Sequence, residues 1–278
     1  MKGEKMIEKI KESVLWLEKR AGGFKPEILI ITGSGLANAM PELENPKVIP
    51  YGEIPNFPRT TVKGHKGELV LGEYAGRKLA VMRGRFHFYE GHDMSFISFP
   101  IRLLNTRGAK KLIVTAAVGS LKKSAKPGEL MILKDHINLM GGNPLIGNHS
   151  PSFGEMFVDM AEPYKKSVVK KLLEISQNLK IDAQAGVYLA VSGPAYETES
   201  EVRMYAVLGG DVVGMSVVPE VISARQLKMD VCGITWISNF TTGISEEAFD
   251  HAKVLEMGQE AGARIKKLIE GLLKDGAF

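Results

Sequence analysis

Cysteine is nearly absent: the 278-residue chain holds one, Cys232. A single thiol forms no internal disulfide and no cysteine-rich zinc site, and its place in an apolar run makes it a buried, inert group. No stretch reaches the roughly 18 apolar residues of a membrane-spanning helix. The charged, amphipathic opening from Met1 to Ser13 lacks the apolar centre of a signal peptide, so a soluble, cytoplasmic protein is expected. No charge sign dominates, because 36 Lys and Arg face 32 Asp and Glu, a formal net charge of +4. No basic block runs longer than Lys-Lys, so neither nucleic acid nor membrane is an expected partner. Repeats, low-complexity tracts and Pro/Ser-rich linkers are missing too, and a single domain over 1–278 is expected.

The composition that remains, 44% hydrophobic with 24% charged, is that of a folded globular chain. Its 30 glycines follow no period and point to tight turns and close backbone approaches, as anion-handling α/β proteins require. Ile7, Ile10, Val14 and Leu17 recur at helical spacing and predict an opening amphipathic helix. After Pro26, the run Ile28 to Ile31 predicts a doubly buried strand. Glu68 to Glu73 and Lys78 to Met82 flank Tyr74-Ala75-Gly76-Arg77 and predict a hairpin. Further strands are predicted at Leu112 to Thr115, Met131 to Leu133, Val187 to Val191, Asp211 to Val213 and Val231 to Ile237. Helices are predicted at Tyr164 to Asn178, Glu197 to Leu208 and Pro219 to Gln226. A long last helix is marked by Val254, Gly258, Ala261, Ile265, Leu268 and Leu272, with Asp250 as its N-cap and Gly276 as its stop. Strands alternating with helices give an α/β class with a buried central sheet. The least regular stretch, Gly141 to Glu155, is a long loop of the kind that serves function or an interface.

Several segments carry side chains or backbone suited to a ligand. Thr32-Gly33-Ser34-Gly35-Leu36 follows a strand and lets the backbone approach an anion, or simply turns from strand to helix. It is neither a dinucleotide fingerprint nor a P-loop, since Asn38 stands at the third glycine and no Gly-Lys-Ser/Thr occurs. In Arg83-Gly84-Arg85-Phe86-His87-Phe88-Tyr89-Glu90-Gly91-His92, an extended backbone would put Arg85, His87 and Tyr89 on one face. That set suits phosphate and a sugar hydroxyl. His87 and His92 lack a carboxylate-rich partner motif, so no metal is expected. Val114 to Ser120 either offers backbone amides at a strand end, where α/β sheets bind ligands, or is a simple strand-to-loop transition. Glu197, beside Tyr196, either meets a heteroaromatic base or complements a helix dipole from the first turn. Ser216, before Pro219, is either an anion ligand at a helix start or a plain N-cap. Ser238-Asn239 ends a strand with two polar groups, and His251 opens the last helix.

Taken in order, these motifs are familiar. Gly33-Ser34-Gly35-Leu36, Gly64-His65, Gly84 to Gly91, His136 to Leu139, Gly142 to Leu145, Gly193 to Thr198 and Val213 to Ile222 together resemble the trimeric, low-molecular-mass purine nucleoside phosphorylases over nearly the whole chain. The resemblance implies a single α/β domain around a mixed sheet flanked by helices, and a homotrimer with active sites near subunit boundaries. It implies phosphate ligands at Ser34, His65, Arg85, His87, the amide of Ala117, and Ser216. Ribose would meet Tyr89, Met215 and His251, and the purine would meet Ala116, Tyr196, Glu197, Val213 and Asn239. His87, Glu197, Asn239 and His251 would carry the catalysis, and Phe153 would reach into a neighbouring subunit's site.

The implied reaction is phosphorolysis of purine nucleosides, inosine and guanosine with their deoxy forms before adenosine, through an oxocarbenium-like transition state. Phosphate is the co-substrate and no cofactor is implied. The chain departs from the family pattern at Tyr196, Ala37, Val118, Ser120 and Ser238. Methylthioadenosine phosphorylase is the nearest rival, with aspartates where this chain has Ser238-Asn239. A catalytically silent nucleoside- or phosphate-binding protein and a water-using nucleosidase are the others.

Overall fold

The computed structural model describes residues 2–33, 35–36, 39–59, 66–148, 150–244 and 251–278, with backbone alone for 2 and 251–256. Strand β1 (Ile28–Ile31) is aliphatic throughout and fully buried, as a strand covered on both faces must be. It pairs in parallel with β4 (Arg77–Arg83) on one edge and with β5 (Lys111–Ser120) on the other. Beyond β4 the sheet continues antiparallel through β3 (Glu68–Tyr74) to β2 (Glu44–Pro50). Beyond β5 it curls. β8 (Val212–Gly214), β7 (Ala183–Val191), β6 (Leu130–Leu139) and β9 (Asp230–Phe240) follow in that order, and β9 pairs back onto β5. Among the described residues, one mixed nine-stranded sheet is therefore an open half and a closed five-stranded ring sharing β5.

Helices flank this sheet as an α/β class requires: α1 (Lys2–Ala21), α2 (Met94–Thr106), α3 (Lys166–Asn178), α4 (Glu199–Val207), α5 (Val218–Gln226) and α6 (His251–Asp275). The buried stripe of α1 runs through Met6, Ile10, Ser13, Leu17 and Ala21 at three- and four-residue spacing. α6 buries Ala261, Ile265, Leu268 and Leu272 and stops before Gly276, whose φ is +77°. Its expected N-cap, Asp250, lies outside the described residues. The β3–β4 hairpin turns on Ala75 and Gly76, both at positive φ (50° and 72°), the two-residue turn that suits twisted strands.

Two elements escape a reading by periodicity. Strand β2 is exposed at all but one position and contains two prolines, so it shows no apolar alternation. Helix α2 is buried on nearly every side and contains Pro100, which hides its 3.6-residue period. Its start is marked by Asp93, whose carboxylate accepts from the Ser95 amide at 2.9 Å. Among the described residues no helix is long and apolar enough to cross a membrane.

The shared strand explains where a ligand fits. On one side β5 pairs with β1 only as far as Val114, and with β8 only from Gly119. Between those ladders Thr115 to Val118 face a gap, the kind of switch point at which open sheets bind ligands. β8 runs antiparallel to β5, so its carboxyl end, leading to Met215 and Ser216, returns towards the same gap.

Candidate active site

Arg85 leaves the end of β4 and turns inward, 1% exposed. Its Nε donates to Glu220 Oε1 at 2.6 Å and its Nη1 to the carbonyl of Thr115 at 2.6 Å. One side chain thus ties the loop after β4 to the first turn of α5 and to the gap in β5. Thr115 also receives the Gly33 amide on its hydroxyl at 3.1 Å, which draws the loop after β1 to the same place. A Cβ on Gly33 would lie 2.7 Å from the Thr115 carbonyl, so only glycine permits that approach.

The segment after Arg85 is not extended. Phe88–Glu90 forms one 3-10 turn, and Glu90 reaches back to accept from the His87 amide (2.8 Å) and His87 Nδ1 (2.9 Å). A carboxylate only accepts, so this contact places the ring proton on Nδ1 and fixes the imidazole plane. Tyr89 stacks on that imidazole, ring centroids 4.6 Å apart. His87 and Tyr89 do meet, through a turn and not through strand alternation. Burial, with Glu90 and the Tyr196 hydroxyl adding to it, pushes the Tyr89 phenol up to about 12, so it stays a neutral donor.

Ser216 is not the N-cap of α5. That position belongs to Val217, whose φ of +67° and ψ of −57° form a γ-turn, closed by the Val218 amide on the Ser216 carbonyl at 2.7 Å. A β-branched residue here is strained. The turn leaves Ser216 (8% exposed) at the gap, with its amide donating to the Tyr188 hydroxyl at 3.2 Å. Gly214 makes room for that tyrosine, since a Cβ there would lie 2.3 Å from its oxygen.

Glu197 and Asn239 border the other end. The first turn of α4 is satisfied by a capping box, Thr198 with Glu201, so Glu197 is not the acid that serves the helix. It is half-buried, and burial holds its carboxyl pKa above the ordinary glutamate range. Asn239, on β9, pairs with Gly119 of β5. Its Nδ2 donates to the Phe240 carbonyl at 2.9 Å, and its Oδ1 lies 2.6 Å from the Ser238 hydroxyl. A carbonyl only accepts, so these neighbours decide which way the amide faces. Ala116 and Val213 are buried beside this end, Ala117 and Met215 are half-buried, and Tyr196 is 73% exposed.

Ser34 and His65 lie outside the described residues, as does the side chain of His251. Phe153 is 6% exposed and packs under the Arg102 guanidinium of its own chain at 4.1 Å. Four residues on, Phe157 is 85% exposed. It lines a cavity of about 740 Å³ with Met156, Ile146, His136, Asn143 and Gln226, apart from the gap in β5. Sequence reasoning gave no role to Glu90, Tyr188 or Glu220, which hold His87, Ser216 and Arg85. Of these only Glu90, three residues from His87, carried a local signal.

Residues 27–274 match the phosphorylase superfamily. The chain is 44% identical over 252 residues to purine nucleoside phosphorylase 1 of Geobacillus stearothermophilus, covering 91% of this chain and 92% of the relative. It is 45% identical over 248 residues to purine nucleoside phosphorylase 1 of Bacillus subtilis, covering 89% and 92%. A crystal structure of the Schistosoma mansoni purine nucleoside phosphorylase with adenosine superposes with a TM-score of 0.90 at 35% identity, covering 96% of this chain and 97% of that one.

Proposed function

As the chain belongs to the phosphorylase superfamily and its activity is the phosphorolysis of purine nucleosides, we propose the following division of labour among its residues. Phosphate lies in the gap of β5, held by Arg85, His87, Ser216 and the Ala117 amide, with Ser34 and His65 completing the shell. The carrying observation is Arg85, which touches Thr115, two residues before Ala117, and Glu220, four residues after Ser216. Held below C1′, the phosphate oxygen attacks as the glycosidic bond to N9 breaks. Its negative charge stabilises the cationic sugar, and the α-(deoxy)ribose 1-phosphate leaves with the free purine. Tyr89, Met215 and His251 orient the ribose. No metal or organic cofactor takes part in this scheme.

The purine sits between Ala116, Val213 and Tyr196. Asn239 donates its second Nδ2 proton towards N7 as negative charge gathers there. Glu197 accepts the N1 proton of a 6-oxopurine, whereas adenine presents an acceptor at N1 to the same carboxylate. An unsatisfied buried pair of that kind discriminates by about 10⁴-fold in favourable sites, which gives inosine and guanosine precedence over adenosine. Asn239→Asp exchanges the donor for an acceptor and is expected to weaken that preference. Unchanged inosine-to-adenosine selectivity in the variant would remove Asn239 from the base site.

A homotrimer completes the scheme. The exposed apolar residues Ile146, Met156 and Phe157 border the 740 Å³ cavity and need cover. The loop that carries Phe153 then reaches the neighbour's site. The lone buried Cys232 fits a cytoplasmic enzyme.

The test is hypoxanthine release from inosine with and without phosphate, with adenosine and methylthioadenosine in parallel. Phosphate-dependent release from inosine before the other two is expected. Release mainly from methylthioadenosine would overturn the base site, and release without phosphate would overturn the nucleophile.

A further inference from the structure

Tyr51 is a polar-tipped side chain buried where its neighbours are not. It opens the 3-10 turn Tyr51–Glu53 directly after β2, between exposed Pro50 and exposed Gly52, and is itself 2% exposed. A buried phenol needs a partner for its hydroxyl, and that partner is the Gly84 carbonyl, which accepts at 2.9 Å. Burial, with Glu68 adding to it, holds the phenol well above its ordinary pKa, so it remains a neutral donor. The Tyr51 amide donates to the Gly67 carbonyl at 2.8 Å, and the Gly67 amide donates to the Arg83 carbonyl at 2.9 Å. The ring packs on Phe86, centroids 5.4 Å apart, and on Phe57 at 4.9 Å.

Along the chain, these contacts adjoin the proposed phosphate ligands. Gly67 comes two residues after His65, Gly84 immediately precedes Arg85, and Phe86 lies between Arg85 and His87. Gly84 has no side chain with which to fix itself, and its backbone is intrinsically permissive. It is held from outside instead. Its amide donates to the Thr32 hydroxyl at 3.2 Å, and its carbonyl accepts from Tyr51. A peptide unit is planar, so gripping that carbonyl fixes the plane from which Arg85 departs.

We infer that Tyr51 is a positioning residue for phosphate: its hydroxyl sets the Gly84–Arg85 peptide, and its amide ties Gly67 to the same frame. Tyr51 then acts through Arg85 and not on the phosphate itself. The inference rests on the phosphate site proposed above.

The test is Tyr51→Phe, which removes the hydroxyl and keeps the ring, beside Ser13→Ala and Arg85→Lys, with steady-state kinetics and melting. Tyr51→Phe is expected to raise the phosphate KM roughly tenfold, the worth of one neutral hydrogen bond. Its nucleoside KM and its kcat at saturating phosphate are expected to stay within about twofold of the parent. Arg85→Lys is expected to raise the phosphate KM further still. Ser13 donates to the Pro55 carbonyl and so ties the same segment to α1 without reaching Gly84. Ser13→Ala and Tyr51→Phe are both expected to melt about 2–4 °C lower, but Ser13→Ala with its phosphate KM unchanged. Thr32→Val, which frees the other side of Gly84, is expected to show the Tyr51→Phe split and serves if that variant does not fold. If Arg85→Lys raises the phosphate KM while Tyr51→Phe and Thr32→Val leave it unchanged, the positioning role is overturned. If Arg85→Lys leaves it unchanged as well, the phosphate site itself is misplaced and the inference falls with it. A rise for Ser13→Ala equal to that for Tyr51→Phe would mark general loosening and overturn the inference. Equal loss in kcat and in both KM values for Tyr51→Phe would mark a purely structural residue and overturn it too.

Discussion

The two ends of the candidate site are built differently. At the proposed phosphate end Arg85, His87 and Ser216 are 1%, 6% and 8% exposed, and each is held by a second buried group: Glu220, Glu90 or Tyr188. At the base end Tyr196 is 73% exposed, and Glu197 and Asn239 are half-buried. The first end is pre-arranged by one chain, at the cost of a buried ion pair and a strained turn at Val217. The second awaits cover from substrate or neighbour. Phosphate is small, symmetric and always the same, so a rigid cradle suits it. Nucleosides vary in base and must enter and leave, so an open end suits them.

The largest expected effect breaks the rigid end. Arg85→Ala leaves Glu220 as an unpaired buried carboxylate, with a stability loss of about 3–5 kcal/mol, and lowers phosphorolysis by roughly 10²–10³-fold. Melting and phosphate-dependence measurements check both. A variant that melts like the parent would show that the pair does not organise this end.

At the open end a smaller and more selective effect is expected. Glu197→Gln should lower kcat/KM for inosine about 100-fold, with phosphate KM and melting temperature little changed. The raised pKa of Glu197 gives the same contrast a pH dependence. As pH falls, this carboxylate is protonated before an ordinary glutamate of about 4.3. The KM for inosine should therefore climb at the acid limb earlier than a standard glutamate predicts, and Glu197→Gln should abolish that limb. Persistence of the limb in the variant would assign it to another group.

The smallest effect serves as a control far from both ends. Ala75 adopts φ +50° in the β3–β4 turn, a conformation that favours glycine. Ala75→Gly should stabilise by about 0.5–1 kcal/mol, raising the melting temperature by about 2 °C without altering any kinetic constant.

What could be read from the sequence follows from what burial does to composition. Ile28–Ile31 announces itself because both faces of β1 are covered, and the cores of β5, β6, β7 and β9 do likewise. The ladders extend several residues past those cores, through Gly119-Ser120 and Lys134 to Leu139, where backbone pairing no longer needs apolar side chains. β2 and α2 were illegible for opposite reasons, one almost wholly exposed and the other almost wholly buried. Motif order put Arg85, His87, Glu197, Ser216 and Asn239 forward as a set. Spacing could not show that Glu220 grips Arg85 across 135 residues.

Strand β5 belongs to two structures at once. The open sheet cannot detach from the ring, nor the ring open, without stripping amides from Leu112 to Val118. The segment beneath the proposed phosphate site should thus be among the last to exchange with solvent deuterium, on the clock of global unfolding and not of local breathing. The same strand makes assembly demanding, since closing the ring joins β5 to β9 from late in the chain. If the proposed cradle holds, a nascent chain has no complete phosphate site until its second half has emerged, and incomplete products would be unable to capture the anion.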